Sequence, residues 1–247
     1  MTQSAPIALN VALVSTTLLG LRHGFDYDHI AAISDIAGVQ RNPKRAMRMG
    51  LMYAIGHAAT VALLGFAVIL FQFSLPAGID AWVERAVGIT LLVLGAYVLW
   101  GSIFQPAVPG HVHLRRSRMT ILMNAVLWCI WRTRAAFSPR PLQPQRTGGI
   151  GKAPAILVGI IHGLGAETPT QLMLFLLAAN LGGFAKGLLG LGTFLTGMLV
   201  MNTVMCAAAA GLFRASMRRP RAFQWVAGVS AAYSVVVGVV FLAGIIR

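Results

Sequence analysis

The chain has 247 residues, of which 57% are hydrophobic and 11% are charged, and its mean hydropathy is +0.75. These values exclude an ordinary soluble domain and indicate an all-α, polytopic membrane protein. The net charge of +14 does not indicate a nucleic-acid partner. The basic residues lie in the gaps between apolar stretches, which is typical of cytoplasmic loops.

Six stretches are long enough to cross about 30 Å of hydrocarbon as helices. They lie near 7–38, 46–71, 79–103, 153–179, 185–213 and 222–246. The first stretch is too long for one straight crossing, so we expect a break near Gly24. The predicted fold is therefore a bundle of about six transmembrane helices.

Lys and Arg are distributed unevenly over the five gaps between these stretches. They cluster in the first, third and fifth gaps, whereas Lys186 is the only clear case in the second and fourth. Because basic loops stay in the cytoplasm, this alternation predicts a multi-pass protein of the cell membrane with both termini outside the cytoplasm.

The third gap, 105–152, is predicted to be a basic cytoplasmic loop. Its apolar part, 119–131, is too short to span comfortably and is expected to form an interfacial or re-entrant helix. His111 and His113 precede that part. They are either simply solvated or form a weak site that collects metal.

A seven-residue segment of the first apolar stretch contains four ionisable residues: His23, Asp26, Asp28 and His29. Ionisable groups at membrane depth are costly and mark functional sites, and imidazole with carboxylate suits a divalent transition metal. The alternative is a buried hydrogen-bonded network that only holds helices together. On a continuous helix Asp26 would share a face with both histidines. Unwinding at Gly24 would turn Asp28 inward instead, so the choice between the aspartates stays open.

A second His-Gly pair predicts an internal repeat. His23-Gly24 is followed by Asp28, and His162-Gly163 is followed at the same spacing by Glu167. Gly56-His57 and Gly197-Met198 correspond in the next stretches. The two halves, 1–104 and 153–247, would form an inverted 3+3 repeat with broken first and fourth helices, as in secondary transporters. Chance similarity of short Gly-rich segments is the alternative.

The repeat suggests a second station for the ion, opposite the first motif. Its candidates are His162, Glu167, Asp26, Met198 and Asn202. Asn202 could instead satisfy a neighbouring helix. His57 follows a glycine in the second stretch and could either bind the ion or be a hydrogen-bonded core residue.

These motifs resemble those of the nickel/cobalt transporter family. The first is His23-x4-Asp28-His29 followed by Ile-Ala-Ala-Ile, and the others are 56–61, 164–171 and Gly197-Met198 with Asn202. Departures are Gly24 and Tyr27 in place of alanines, Glu167 and Asn202 in place of aspartates and Gln171 in place of glutamate. The larger members have eight spans.

The resemblance implies high-affinity uptake of Ni²⁺ or Co²⁺, with a metal site formed by His23, Asp28, His29 and His57. The ion would be cargo, and no cofactor is expected. The chain carries neither a phosphate-binding Gly-x4-Gly-Lys-Ser/Thr motif nor a His-Glu-x-x-His motif, so we expect a secondary transporter and not an enzyme. The alternatives are an exporter of the same metals and an accessory protein that delivers metal for urease or hydrogenase maturation.

The topology predicts how the third loop reacts with labelling reagents. Cysteines engineered into 132–150 should be protected from an impermeant thiol reagent in intact cells. Labelling of those sites from outside would contradict the count of six spans.

Overall fold

A computed structural model describes residues 4–40, 42–71, 79–104, 150–165, 168–217 and 219–244. Seven helices lie in these ranges: α1 Ser4–Gly24, α2 Tyr27–Gly38, α3 Pro43–Phe71, α4 Ile79–Phe104, α5 Lys152–Leu164, α6 Thr168–Ser216 and α7 Pro220–Ala243. No strand occurs within them. The predicted all-α class is confirmed. The loop 105–149, with His111, His113 and 119–131, lies outside the described residues.

Four helical stretches in the described ranges are long and apolar enough to cross a membrane: Pro43–Phe71, Trp82–Trp100, Gly183–Ser216 and Arg221–Ala243. They match the second, third, fifth and sixth predicted spans. The first and fourth predicted spans each begin with a separate helix, α1 or α5. The count of six crossings stays a prediction.

The predicted break near Gly24 is confirmed. Helix α1 ends at Gly24, and α2 begins at Tyr27 with Asp26 as its extended N-cap residue. The last turn of α1 is closed by the Phe25 amide, which donates to the Arg22 carbonyl over 2.9 Å. The break therefore sets a carbonyl-rich helix end beside an amide-rich helix start, as in the discontinuous helices of transporters.

Helix α2 is the centre of the bundle. Nine of its 12 residues are buried, and it packs against α3, α4, α6 and α7. Ala31, Ala32 and Gly38 are among the buried residues. Small residues let neighbouring helices approach closely, which is how helices associate in a membrane where hydrophobic burial gives little drive.

Helix α6 changes direction within its length. Gly183 has a φ of 80°, a conformation that favours glycine, and divides α6 into two helical parts. This residue lies between the fourth and fifth predicted spans. The helix is thus interrupted between those two predicted spans.

The contacts between the two halves are reciprocal. Helix α1 packs against α6, α5 packs against α3, and α4 packs against α7. A Cβ atom on Gly24 would lie 2.8 Å from the Met198 carbonyl oxygen, and one on Gly163 would lie 2.8 Å from the His57 carbonyl oxygen. These are the positions that the sequence repeat pairs. The close approach explains why glycine occupies both sites.

The packing at Gly163 predicts a loss of stability when a methyl group is added. In Gly163→Ala the new Cβ would also lie 2.8 Å from the Thr60 Cβ. Overpacking of this kind costs about 1–3 kcal/mol. We expect a lower melting temperature for the purified protein in detergent.

Gly211→Ala is the matched control, because a Cβ there meets nothing within 4 Å. Alanine is favoured over glycine in a helix by about 1 kcal/mol. The control should melt at or above the wild-type temperature. Equal melting of the two variants would contradict the packing argument.

Candidate metal centre

Three buried histidines converge where α1 and α2 meet α3. His23 is in the last turn of α1, His29 in the first turns of α2, and His57 in the middle of α3. Their exposures are 7%, 0% and 1%. One ligand atom from each lies within 4.8 Å of the other two, and no other His, Cys, Asp or Glu of the described residues joins this group.

The ring nitrogens face one another at distances that a shared ion explains. His57 Nε2 lies 3.1 Å from His23 Nε2 and 3.3 Å from His29 Nε2. With metal–nitrogen bonds of about 2.0–2.1 Å, neighbouring nitrogens in tetrahedral or octahedral geometry lie about 3.0–3.4 Å apart. A divalent transition metal therefore suits the three nitrogens.

The two aspartates lie on the outer sides of the histidine rings. The Nδ1 of His29 donates to Asp28 Oδ1 over 3.1 Å, and the Nδ1 of His23 lies 3.2 Å from Asp26 Oδ2. A carboxylate at Nδ1 holds the proton there and leaves the Nε2 lone pair for a metal. The structure thus places Asp28 in direct contact with His29, outside the cluster of three nitrogens.

The helix break settles how Asp28 is oriented. Because α2 starts afresh after residues 25 and 26, the face shared by His23, Asp26 and His29 on a continuous helix does not exist. Asp28 is 6% exposed and turns into the bundle from the first turn of α2. The amides at a helix start stabilise a carboxylate there.

His162 is placed beside Asp28 by a second set of contacts. Its Nδ1 lies 3.8 Å from Asp28 Oδ2 and 3.1 Å from the Tyr53 hydroxyl. Its Nε2 lies 2.8 Å from Thr90 Oγ1, which donates its only proton to the Val87 carbonyl. When Thr90 donates to the Val87 carbonyl, His162 Nε2 is the donor to Thr90 and Nδ1 accepts from the Tyr53 hydroxyl.

The remaining candidates of the second station lie elsewhere around the break. Met198 is fully buried on α6, with its carbonyl oxygen close to Gly24. Asn202 is also fully buried, and neither atom of its side-chain amide has a hydrogen-bond partner among the described residues. Glu167 lies outside the described residues.

Sequence reasoning missed three residues with polar roles. Tyr53 lies four positions before His57 on α3, a spacing that puts both on one helix face, so a signal was present. Thr90 gives no signal, since its contact with His162 joins distant parts of the chain. Asp35, an acid within an apolar stretch, is fully buried.

Comparison with known proteins gives one consistent picture. Residues 9–133 match the sequence model of the family described as high-affinity nickel-transport protein. The chain is 26% identical over 249 residues to the high-affinity nickel transport protein of Cupriavidus necator, covering 94% of this chain and 69% of that protein. No solved structure matches the chain.

Two further relatives carry different names. The urease accessory protein UreH of Bacillus sp. (strain TB-90) is 26% identical over 193 residues, which cover 76% of this chain and 73% of that protein. The cobalt transport protein NhlF of Rhodococcus rhodochrous is 27% identical over 235 residues, which cover 84% of this chain and 59% of that protein.

The contact between Asp28 and His29 predicts the effect of removing one charge. Asp28→Asn should lower the affinity for Co²⁺ about 10–100-fold, because outer partners fix the orientation and basicity of a ligating histidine. Equilibrium dialysis of the purified protein measures this. Glu84→Gln removes a charge from a partly exposed residue of α4 and should bind Co²⁺ normally. Unchanged affinity in Asp28→Asn would show that the Asp28 carboxylate does not contribute to metal binding.

Proposed function

The chain belongs to the high-affinity nickel-transport protein family, whose model matches about half of its length, and we propose that it is a secondary transporter that takes up Ni²⁺ or Co²⁺. The observation that carries the proposal is the convergence of three buried imidazoles on one point. Neutral imidazole binds nickel and cobalt. Three such side chains are not brought together inside an apolar bundle for packing alone.

We propose His23, His29 and His57 as the ligands, with Asp28 supplying negative charge through His29. Asp28 is hydrogen-bonded to the ring that would face the ion, so part of the ion's double charge is balanced without a direct bond. A transport site must load its ion and also release it. Neutral nitrogens with a carboxylate behind them hold the ion without a direct bond to that carboxylate, which favours its release.

The second station is proposed around His162 and Glu167, with Asp26, Met198 and Asn202 as further groups. Asp28 supports this because its two oxygens face His29 and His162. In the present arrangement both nitrogens of His162 are engaged by Tyr53 and Thr90. The ion would reach His162 after a rearrangement that releases the Tyr53 hydroxyl.

The proposed setting is the cell membrane, with both termini outside the cytoplasm and the two halves related as an inverted repeat. Reciprocal contacts of Gly24 and Gly163 with the other half support the repeat. The transported ion is a substrate and the protein is not an enzyme. Energy would come from ion gradients.

A role in delivering metal for urease maturation is the second candidate. The similarity to the urease accessory protein UreH favours it. Such a role needs the same metal site, because a protein that supplies nickel to an enzyme must first bind it. Metal accumulation by whole cells separates the two candidates.

The site predicts that His29→Ala abolishes uptake of radioactive nickel and cobalt by cells that express the protein. Loss of one of three ligands should reduce the accumulation at least about tenfold, while the amount of protein in the membrane stays unchanged. Glu84→Gln is the control and should accumulate metal as the wild type does.

Each other result has a defined meaning. Near-normal uptake by His29→Ala would refute the site. Lower metal content in cells with the wild-type protein than in cells without it would identify an exporter. Equal metal content with and without the protein would favour the accessory role.

A further inference from the structure

A second buried ionisable group lies on α2, apart from the metal centre. Asp35 is fully buried and follows His29 by six residues, which is about 9 Å along the helix axis. It makes no contact with the three histidines. The mechanism of metal binding described above does not use it.

Asp35 faces two serines of α7. The Ser230 hydroxyl donates to Asp35 Oδ1 over 3.3 Å, and Ser234, one turn further along α7, faces the same carboxyl group. Ser234 is fully buried. Among the described residues, neither its hydroxyl nor Asp35 Oδ2 makes a hydrogen bond of good geometry. Two buried polar groups at one place are therefore poorly paired.

Among the residues that the structure describes, no cation balances this carboxyl group. Helices α3, α4, α6 and α7 pack against α2. None of the described titratable side chains of these four helices forms a hydrogen bond or ion pair with Asp35. These side chains are Lys44, Arg45, Arg48, Tyr53, His57, Glu84, Arg85, Tyr97, Lys186, Cys206, Arg214, Arg221 and Tyr233. An isolated buried carboxylate is so costly that the group takes up a proton instead.

We propose that Asp35, Ser230 and Ser234 form a proton-binding site, and that its proton is transported together with the metal. A proton on Oδ2 removes the buried charge and lets the carboxyl group donate to the Ser234 hydroxyl oxygen. A metal cation such as Na⁺ fits less well, because hard cations need about six oxygen ligands and Asp35, Ser230 and Ser234 offer four side-chain oxygens here.

Coupling follows from the position of both sites on one short helix. Asp35 and His29 share the 12 residues of α2, so a movement of α2 that opens the metal site also moves Asp35 relative to α7. Separation from the serines exposes the carboxyl group to water, where it ionises and releases the proton. This inference rests on the proposed transport function.

The test uses the full-length protein in liposomes with Co²⁺ as the substrate. For the wild type, the initial rate of Co²⁺ entry should rise when the outside is made more acidic than the inside. A pH-sensitive dye trapped inside should report protons entering with the metal. Asp35→Asn should bind Co²⁺ with wild-type affinity, but its entry rate should be the same with and without the gradient. Glu84→Gln, which also loses one carboxylate, should behave as the wild type.

Infrared spectroscopy of the purified protein tests the proton without any transport. The carbonyl stretch of a protonated carboxyl group should be present at neutral pH in the wild type and lost in Asp35→Asn. If Asp35→Asn does not fold, Ser234→Ala serves instead, because it keeps the acid but should shift the frequency of that band.

Four results would overturn the proposal: no such band in the wild type, an unchanged band in Asp35→Asn or in Ser234→Ala, an unchanged gradient dependence in Asp35→Asn, or dependence on a Na⁺ gradient in place of the pH gradient. Failure of the transport function itself would look different. The wild-type protein would then move no Co²⁺ under any gradient, while the infrared band would still decide whether Asp35 holds a proton.

Discussion

Imidazole nitrogens that face one another away from water must share either protons or a cation, because their lone pairs repel. His57 Nε2 faces two other ring nitrogens at 3.1 and 3.3 Å. A single N–H proton at His57 Nε2 can be donated to one of these nitrogens but not to both. The surrounding structure serves this arrangement. The helix break brings His23 and His29 together, and Asp28 sets the tautomer of His29.

The enclosure of α2 links that chemistry to the rest of the bundle. Its alanines and terminal glycine leave room for four other helices, so the buried side chains of Asp28, His29 and Asp35 face protein only. One end of α2 carries Asp28 and His29, and Asp35 lies near the other end. A helix of three turns thereby joins two kinds of ionisable site within one rigid unit.

Much of this arrangement could be predicted from the sequence. Charged residues in an apolar stretch marked the candidate metal centre, and the excessive length of that stretch predicted the break at Gly24. The orientations of Asp26 and Asp28 could not be predicted, because they depend on where α2 restarts. The contact of His162 with Thr90 joins residues 72 positions apart, and no local pattern encodes it. Asp35 could be noticed in the sequence as an acid within an apolar stretch, but its serine partners lie on α7, 195 positions or more away.

The long separations also determine when the polar groups of α2 find their partners during synthesis. The Gln40 side chain donates to the Ile150 carbonyl, 110 residues later, and Ser230 follows Asp35 by 195 residues. At about 5–20 residues per second, a ribosome adds 195 residues in about 10–40 s. For that time the end of α2 lacks its partners, so the nascent chain must keep this segment near water or the insertion machinery until the last helix emerges.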